Sequence, residues 1–180
     1  MTDDHGVASN IAQVILSADE IAQRVSELGA QISKDYAGQD LLMVGVLNGV
    51  VLFMADLLRH ITIPVTVDFM AISKYGSGSP SGTVRITKDL DSSITGRPVL
   101  FVEDVIDTGL TLSYLLRTLR TRRPISIDVC VLFDRPYRRI IQIPHKYQGF
   151  ELPDRFVVGY GLDARGLYRN LPYVGVLENS

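Results

Sequence analysis

The sequence has little of what marks disulfide-bonded, membrane-spanning or nucleic-acid-binding proteins. It contains one cysteine and no tryptophan, so no disulfide can form within the chain. No apolar run approaches the about 20 residues that a membrane helix requires. The formal net charge is −2, whereas nucleic-acid binding depends on a basic surface that neutralises phosphates. We therefore expect neither a membrane nor a nucleic acid as partner.

The composition that remains is ordinary for a globular protein. Hydrophobic residues make up 46% of the 180 positions and charged residues 21%,. This length is enough to bury one core, and no repeat or linker divides the chain, so we expect a single domain over residues 1–180. The polar, acidic N-terminus is unlike a secretory leader, which favours the cytoplasm. Cys130 lies in an apolar run and is expected in the core. His5, His60 and His145 lack metal-ligand spacing and are expected to be structural or exposed.

Short apolar runs alternate with helical patterns along the chain. Strands are predicted at Leu41–Leu47, Val65–Ala71, Thr83–Thr87, Val99–Val102, Ile125–Phe133, Phe156–Tyr160 and Tyr173–Leu177, and helices at Ala18–Tyr36, Val50–His60 and Leu110–Leu119,. This alternation predicts an α/β fold with a largely parallel central sheet flanked by helices on both faces. Ser73–Gly82 holds three glycines, four serines and a proline, which predicts a flexible hairpin loop.

The most informative segment is Val99–Leu112. Four apolar residues lead into Glu103 and Asp104, and the hydroxyl-rich turn that follows opens a helical pattern. A helix N-terminus offers free N–H donors to a phosphate, and a glycine lets the backbone approach it closely. Paired carboxylates can bind ribose hydroxyls or magnesium. We interpret the segment as a site for a phosphorylated sugar; the alternative is an ordinary strand and helix joined by an acidic turn.

This string resembles the phosphoribosyl-pyrophosphate (PRPP) signature of the type I phosphoribosyltransferases. It has four hydrophobic residues, Glu-Asp, two hydrophobic residues, Asp-Thr-Gly, one further residue and Thr. The resemblance implies that Glu103 and Asp104 hold the ribose and a metal ion, and that Asp107 is the general base. It implies a binding site for the 5′-phosphate and ribose that also includes Thr108, Gly109, Leu110 and Thr111.

Two further loops match the family less closely. Relatives bind pyrophosphate with the loop that corresponds to Leu47, Asn48 and Gly49. Where this chain has Asn48, many relatives have a lysine. Arg169 matches a family arginine that contacts pyrophosphate. Lys74 and Tyr75 open the long loop, which in relatives is a lid that often begins Ser-Tyr. The alternative for the loop at Leu47–Gly49 is a plain strand-to-helix turn. The alternative for the long loop is a hairpin tip without a role. Whether the Leu47–Asn48 bond is cis stays open.

The resemblance also implies a purine pocket. Arg135 stands where relatives often have a lysine that donates to the 6-oxo group. Phe156 and Val157 stand where, in relatives, an aromatic ring stacks on the base and main-chain carbonyl groups face its position 2. Asp163 matches a ligand of a second magnesium ion. Arg135 could instead be a surface charge, as Arg138 and Arg139 are expected to be. The alternative for the whole stretch is a core strand with a solvated turn.

The resemblance extends from Leu41 to Leu177 and implies the type I phosphoribosyltransferase fold, with a flexible hairpin lid and a small hood region. It implies purine salvage: a 6-oxopurine, hypoxanthine and also guanine, displaces pyrophosphate from PRPP to give IMP or GMP. Mg²⁺ would be held by Glu103, Asp104 and Asp163, and the chain would form a homodimer or homotetramer. Two rivals remain, a nucleic-acid-binding regulator of the same fold and an enzyme that prefers xanthine or uracil.

Overall fold

A six-stranded sheet with helices on both faces and a separate three-stranded sheet organise the chain. The structure, a computed structural model, describes residues 11–74 and 84–178. The strands are β1 Ile11–Leu16, β2 Leu41–Leu47, β3 Val65–Lys74, β4 Val84–Lys88, β5 Pro98–Ile106, β6 Ser126–Asp134, β7 Tyr147–Glu151, β8 Val157–Val158 and β9 Val174–Leu177. The helices are α1 Ala18–Asp35, α2 Val51–His60 and α3 Leu110–Arg120.

Helix α1 shows how closely local sequence sets the element boundaries. The Ser17 hydroxyl accepts the Glu20 N–H at 3.2 Å, and the Glu20 carboxylate accepts the Ser17 N–H at 2.8 Å. This capping box satisfies two N–H groups that a helix start leaves without partners. Apolar residues at helical spacing then bury one face against the sheet,. The predicted helix is confirmed to within one residue.

The larger sheet has the strand order β4-β3-β2-β5-β6-β7. All neighbours pair in parallel except β3 and β4, which pair antiparallel. The largely parallel sheet predicted from the sequence is therefore confirmed. The predicted hairpin is confirmed where β3 and β4 pair, but its loop and Tyr75 lie outside the described residues. Lys74 is the last residue of β3 rather than part of the loop.

Alternate residues along the central strands face opposite sides of the large sheet, as the pleat requires. Leu41 and Met43 pack with α1 and α2, whereas Leu42 and Val44 pack with α3. The same division holds for residues 99–102 of β5 and 129–132 of β6, and Cys130 is fully buried, as expected. Each fully buried Leu, Val or Phe contributes about 1.5–3 kcal/mol. Because the core packs on both faces of the sheet, it holds in place the strand ends at which the candidate site lies.

The smaller sheet has the order β1-β9-β8 and is antiparallel. Its Val157, Val174 and Val176 join the core on the side of α1. The strand predicted over Phe156–Tyr160 is shorter in the structure, because Tyr160 and its two flanking glycines have positive φ and turn the chain. In the part of the chain that is described, no helix is long and apolar enough to cross a membrane.

Candidate active site

The loops that follow β2 and β5 lie at the same edge of the large sheet, where parallel strands end and ligands of such sheets bind,. They line a cavity of about 480 Å³. Its walls include Leu47, Asn48, Gly49, Glu103, Asp104, Asp107, Thr108, Gly109, Thr111, Asp163 and Arg169. The structure thus brings together the residues assigned to ribose, phosphate and pyrophosphate, apart from Leu110, which is exposed and does not line the cavity.

The phosphate turn begins later than the sequence suggested. Strand β5 continues through the acidic pair to Ile106, so that Glu103 and Asp104 are strand residues, and α3 starts at Leu110. Gly109 has φ +81° and caps the helix. A Cβ there would overlap the Ile141 carbonyl oxygen, so glycine is required both by conformation and by space,.

The acidic pair lies at this edge and is only partly exposed to solvent. Burial, followed by the negative charge of Asp104, raises the pKa of Glu103 well above its ordinary value,. Burial raises the pKa of Asp104 to about 6, against the opposing N–H bond from Val105. Glu103 Oε2 and Asp107 Oδ1 are buried, and neither accepts a hydrogen bond from any described residue. Buried acceptors normally have a partner, so these oxygens fit a ligand's hydroxyl groups or a cation.

The loop after β2 meets the acidic pair directly. The Leu47–Asn48 peptide bond is cis, which answers the question that the sequence left open. Asn48 is exposed and faces the cavity. A Cβ on Gly49 would overlap the Asp104 carboxylate, so the loop can lie this close only because residue 49 has no side chain,.

Arg169 and Asp163 pair with each other at one wall of the cavity. Arg169 Nη2 lies 2.6 Å from Asp163 Oδ1, and Arg169 Nη1 donates to the Gly161 carbonyl at 2.5 Å. The other Asp163 oxygen accepts the Gly166 N–H at 2.7 Å. Both side chains remain about one-third exposed. Arg169 is thus held by the turn after β8 at the edge of the cavity.

A second cavity of about 380 Å³ adjoins the first. Its own lining consists of Arg135, Leu152, Phe156, Val157 and Leu162. It shares with the first cavity Asp104, Val105, Asp107, Asp163 and Arg169. Because the two cavities have these walls in common, they form one cleft with a charged junction, with Asp107 at that junction.

Arg135 lies in the second cavity rather than on the surface. Its side chain is 11% exposed, and Nη2 donates to the Arg155 carbonyl at 2.9 Å. The interpretation of Arg135 as a surface charge is therefore wrong. Phe156 is 40% exposed and lines the same cavity, so one wall is aromatic,.

The expectation for Arg139 was also wrong, whereas Arg138 is an exposed charge as expected. The Arg138 side chain is 47% exposed and pairs with Asp154 at 2.9 Å. The Arg139 side chain is only 4% exposed and pairs with Asp134 at the end of β6. The two arginines are neighbours in sequence, and no local pattern distinguishes them.

The comparisons with known proteins agree with this geometry. A family model of the phosphoribosyl transferase domain matches residues 13–165. The chain belongs to the phosphoribosyltransferase family. The hypoxanthine-guanine phosphoribosyltransferase of Mycobacterium avium is 51% identical over 176 residues, covering 94% of this chain and 87% of that protein. The Bacillus subtilis protein of the same name is 49% identical over 170 residues and covers 94% of both chains. A crystal structure of a hypoxanthine phosphoribosyltransferase from Staphylococcus aureus has a TM-score of 0.90 at 43% identity, with 98% of both chains covered.

Membership of the phosphoribosyltransferase family and the type I fold expected from the PRPP signature are thus confirmed. The lid and the hood region stay predictions. Sequence reasoning missed Leu152 and Leu162, which line the second cavity. Single leucines in mixed segments carry no signal that separates a pocket wall from the core.

The carboxylates at residues 11–74 and 84–178 do not form a metal centre by themselves. Among the described residues, no three His, Cys, Asp or Glu side chains converge as they would around a metal ion. Magnesium in proteins is commonly bound by one or two carboxylates together with substrate phosphates and water. The unpartnered oxygen of Glu103 beside Asp104 fits such a site, completed by a substrate.

Proposed function

We propose that the chain is a purine-salvage enzyme that transfers the 5-phosphoribosyl group of PRPP to a 6-oxopurine. The substrates are hypoxanthine and guanine, and the products are pyrophosphate with IMP or GMP. One observation carries the proposal: the two cavities share a charged wall that includes Asp107. Transfer between two substrates requires that they meet at one point, and a common wall provides it. The curated relatives of the same length carry the corresponding name.

The larger cavity is proposed to hold PRPP. Its phosphate turn, Asp107–Thr111, can receive the 5′-phosphate through backbone N–H groups and two threonine hydroxyls,. The ribose hydroxyls can then donate to Glu103 and Asp104. Pyrophosphate would lie along Leu47–Gly49, within reach of Arg169. When pyrophosphate binds, it can replace Asp163 as the partner of Arg169, so that the guanidinium stays paired with an anion,.

The chemistry is a substitution at C1 of the ribose. The bond from C1 to the pyrophosphate oxygen breaks with its electron pair on pyrophosphate, and N9 of the purine forms the new bond. The proton on N7 of the base passes to Asp107, which lines both cavities. Donors fixed in advance around the leaving group lower the barrier because they need no reorganisation during the reaction.

Mg²⁺ is the cofactor that we propose for this site. Glu103 and Asp104 would hold one ion together with PRPP, and Asp163 would hold a second. When bound, magnesium neutralises the developing charge on pyrophosphate. Burial raises the pKa of both members of the acidic pair, and the positive charge of Arg169 opposes this only in part for Asp104. A bound cation would favour the ionised form of both carboxylates.

Arg135 and Phe156 are proposed to select the base. A guanidinium only donates hydrogen bonds, so it can pair with a 6-oxo group but not with a 6-amino group. Arg135 Nε is buried without a partner among the described side chains and backbone groups. Leaving a buried donor opposite another donor costs binding energy, so adenine should be rejected.

The remaining expectations are proposals. From the resemblance come a lid that begins at Lys74, the last residue of β3, and includes Tyr75, a hood region, and a homodimer or homotetramer. From length and composition come a single domain and a cytoplasmic location. A lid would keep water from a ribose with cation character. The oligomeric state is measured directly by light scattering of the purified protein.

The proposal is tested by an assay with several bases in parallel. Purified protein, PRPP and Mg²⁺ are mixed separately with hypoxanthine, guanine, xanthine, adenine and uracil, and nucleotide and pyrophosphate are quantified. Hypoxanthine and guanine should give IMP and GMP, each with one equivalent of pyrophosphate, and adenine should give no product. Preferential turnover of uracil or xanthine would replace the proposed substrate class. No product from any base would refute the enzyme and favour a regulator of the same fold.

A further inference from the structure

Arg139 lies behind the phosphate turn, outside both cavity linings. Its Nε donates to the Asp107 carbonyl at 2.9 Å, and its Nη2 donates to the Ile106 carbonyl at 3.2 Å. Nη2 also bonds the Asp134 carboxylate. One buried side chain therefore holds two consecutive carbonyl groups at the point where β5 turns toward α3.

Backbone N–H groups on both sides of Arg139 also donate hydrogen bonds to the same turn. The N–H groups of Ile140 and Ile141 both donate to the Thr108 carbonyl, at 2.9 and 3.0 Å. The Arg135 N–H donates to the Ile106 carbonyl at 3.0 Å. The segment 135–141 thus binds three successive carbonyl groups, those of residues 106, 107 and 108. Within the part of the chain that the structure describes, the hydrogen bond to the Asp107 carbonyl comes from Arg139 alone.

The strand end of β6 holds Arg139 in place. Asp134 is buried and follows Phe133 at the end of β6, beside Ile106 of β5 in parallel register. A buried arginine needs an anionic partner, and the planar guanidinium can serve that partner and two carbonyl groups at once. A lysine has neither the fork nor the same reach, so it can replace only part of these bonds.

We propose that Arg139 is a positioning residue for PRPP, acting through the carbonyl groups of Ile106 and Asp107. By holding these carbonyls away from the cleft, it orients the N–H groups of the turn toward the 5′-phosphate and sets the Asp107 side chain at the junction of the two cavities. The inference rests on the proposed function. The Arg135 side chain bonds the Arg155 carbonyl rather than the turn, and Phe156 and Val157 lie on another segment. Loss of Arg139 therefore weakens the PRPP half of the cleft and leaves the affinity for the base nearly unchanged.

The variants Arg139→Gln and Arg139→Lys test this proposal in the full chain. The control is Arg120→Gln, which removes the same charge from an exposed position of α3. The measurements are kcat, the KM for PRPP, the KM for hypoxanthine, and the shift in melting temperature caused by ribose 5-phosphate. Because Arg139→Gln leaves Asp134 buried without its partner, a double variant, Arg139→Met with Asp134→Leu, removes both charges together and keeps the test available if the single variant does not fold.

We expect Arg139→Gln to raise the KM for PRPP about tenfold or more, to lower kcat, and to abolish most of the stabilisation by ribose 5-phosphate, with the KM for hypoxanthine within about twofold. Arg139→Lys should recover part of the loss, the double variant should behave as Arg139→Gln, and Arg120→Gln should match the wild type. A folded variant with an unchanged KM for PRPP and unchanged kcat overturns the proposal, as does an equal rise in both KM values. If the wild-type protein forms no nucleotide, the proposed function has failed, and ribose 5-phosphate binding alone then decides the role of Arg139.

Discussion

The Asp104 carboxylate occupies the space above Gly49 into which any side chain at position 49 would project. Gly49 lies in the loop after β2, whereas Asp104 lies near the end of strand β5. Their contact brings the proposed pyrophosphate loop against the proposed ribose-binding acid. The two parts of the cleft can therefore meet only because residue 49 has no side chain.

Gly49→Ala should impair PRPP binding with little effect on the base. The added Cβ would overlap the Asp104 carboxylate, which could move away only by giving up its hydrogen bond from the Val105 N–H. Overpacking of this kind costs about 1–3 kcal/mol. We expect the KM for PRPP to rise about tenfold, measured by steady-state kinetics. Gly38→Ala is the control, because Gly38 has positive φ but no neighbour within 4 Å of an added Cβ. The control should lose stability without changing kinetics; a Gly49→Ala enzyme with wild-type KM would show that the contact does not matter.

Asp107→Asn tests the proposed general base. The amide keeps the shape of the side chain but cannot accept the proton from N7. We expect kcat to fall about 10²–10⁴-fold, the usual range for the loss of acid–base catalysis. Glu151→Gln, at an exposed position of β7, is the matched control. An unchanged kcat for the Asp107 variant would remove Asp107 from this role.

Asp104→Asn should stabilise the ligand-free protein at neutral pH. Folding raises the pKa of Asp104 from 3.8 to about 6 through burial, so between these values the folded state binds more protons than the unfolded state. The free energy of unfolding therefore falls as the pH rises through this window. At pH 7 the ionised side chain costs about 1–3 kcal/mol, which asparagine avoids. Urea unfolding at pH 4 and pH 7 measures the difference, and a gain that is equal at both pH values would contradict the assignment.

Asp68 provides a comparison of opposite sign. It is buried on β3, and three backbone N–H groups donate to it, those of Phe69, Asp91 and Ser92. Burial alone would raise its pKa, but these bonds outweigh burial and hold the pKa below 3.8. Its ionised form therefore stabilises the fold above that value, and this contribution is lost as the pH falls below it. Asp68→Asn should accordingly destabilise the protein at pH 7.

Asn48→Lys should strengthen the binding of pyrophosphate. Asn48 faces the cavity in the loop proposed to bind pyrophosphate, and an ammonium group attracts pyrophosphate more strongly than an amide does,. Product inhibition should therefore occur at lower pyrophosphate concentration. Gln39→Lys adds the same charge at an exposed position after α1 and should leave inhibition unchanged. The same inhibition constant in the wild type and in Asn48→Lys would mean that residue 48 does not contact pyrophosphate.

The central sheet was predictable because its strands and helices have strong periodic patterns. The edge elements were not. In β1 three consecutive residues are exposed, so no alternation marks the strand. In β7 Gly149 lies where a Cβ would overlap the Leu132 carbonyl, and its neighbours Gln148 and Phe150 show no polar–apolar alternation about it. Both strands form because a partner strand is available, which is a tertiary effect that local sequence does not carry.

The site was predictable where a motif is contiguous. The acidic pair and the phosphate turn are adjacent in sequence and face one cavity as expected. The contacts of Arg139 and the meeting of Gly49 with Asp104 join segments that are far apart in the chain. Such contacts depend on strand order and register, so they were found only in the structure.

A crystal structure of the protein with IMP tests the central claim most directly. The account predicts the 5′-phosphate in the turn Asp107–Thr111, the ribose hydroxyls on Glu103 and Asp104, and the purine between Arg135 and Phe156. A nucleotide bound at another place, with the corner beside Glu103 free, would contradict it.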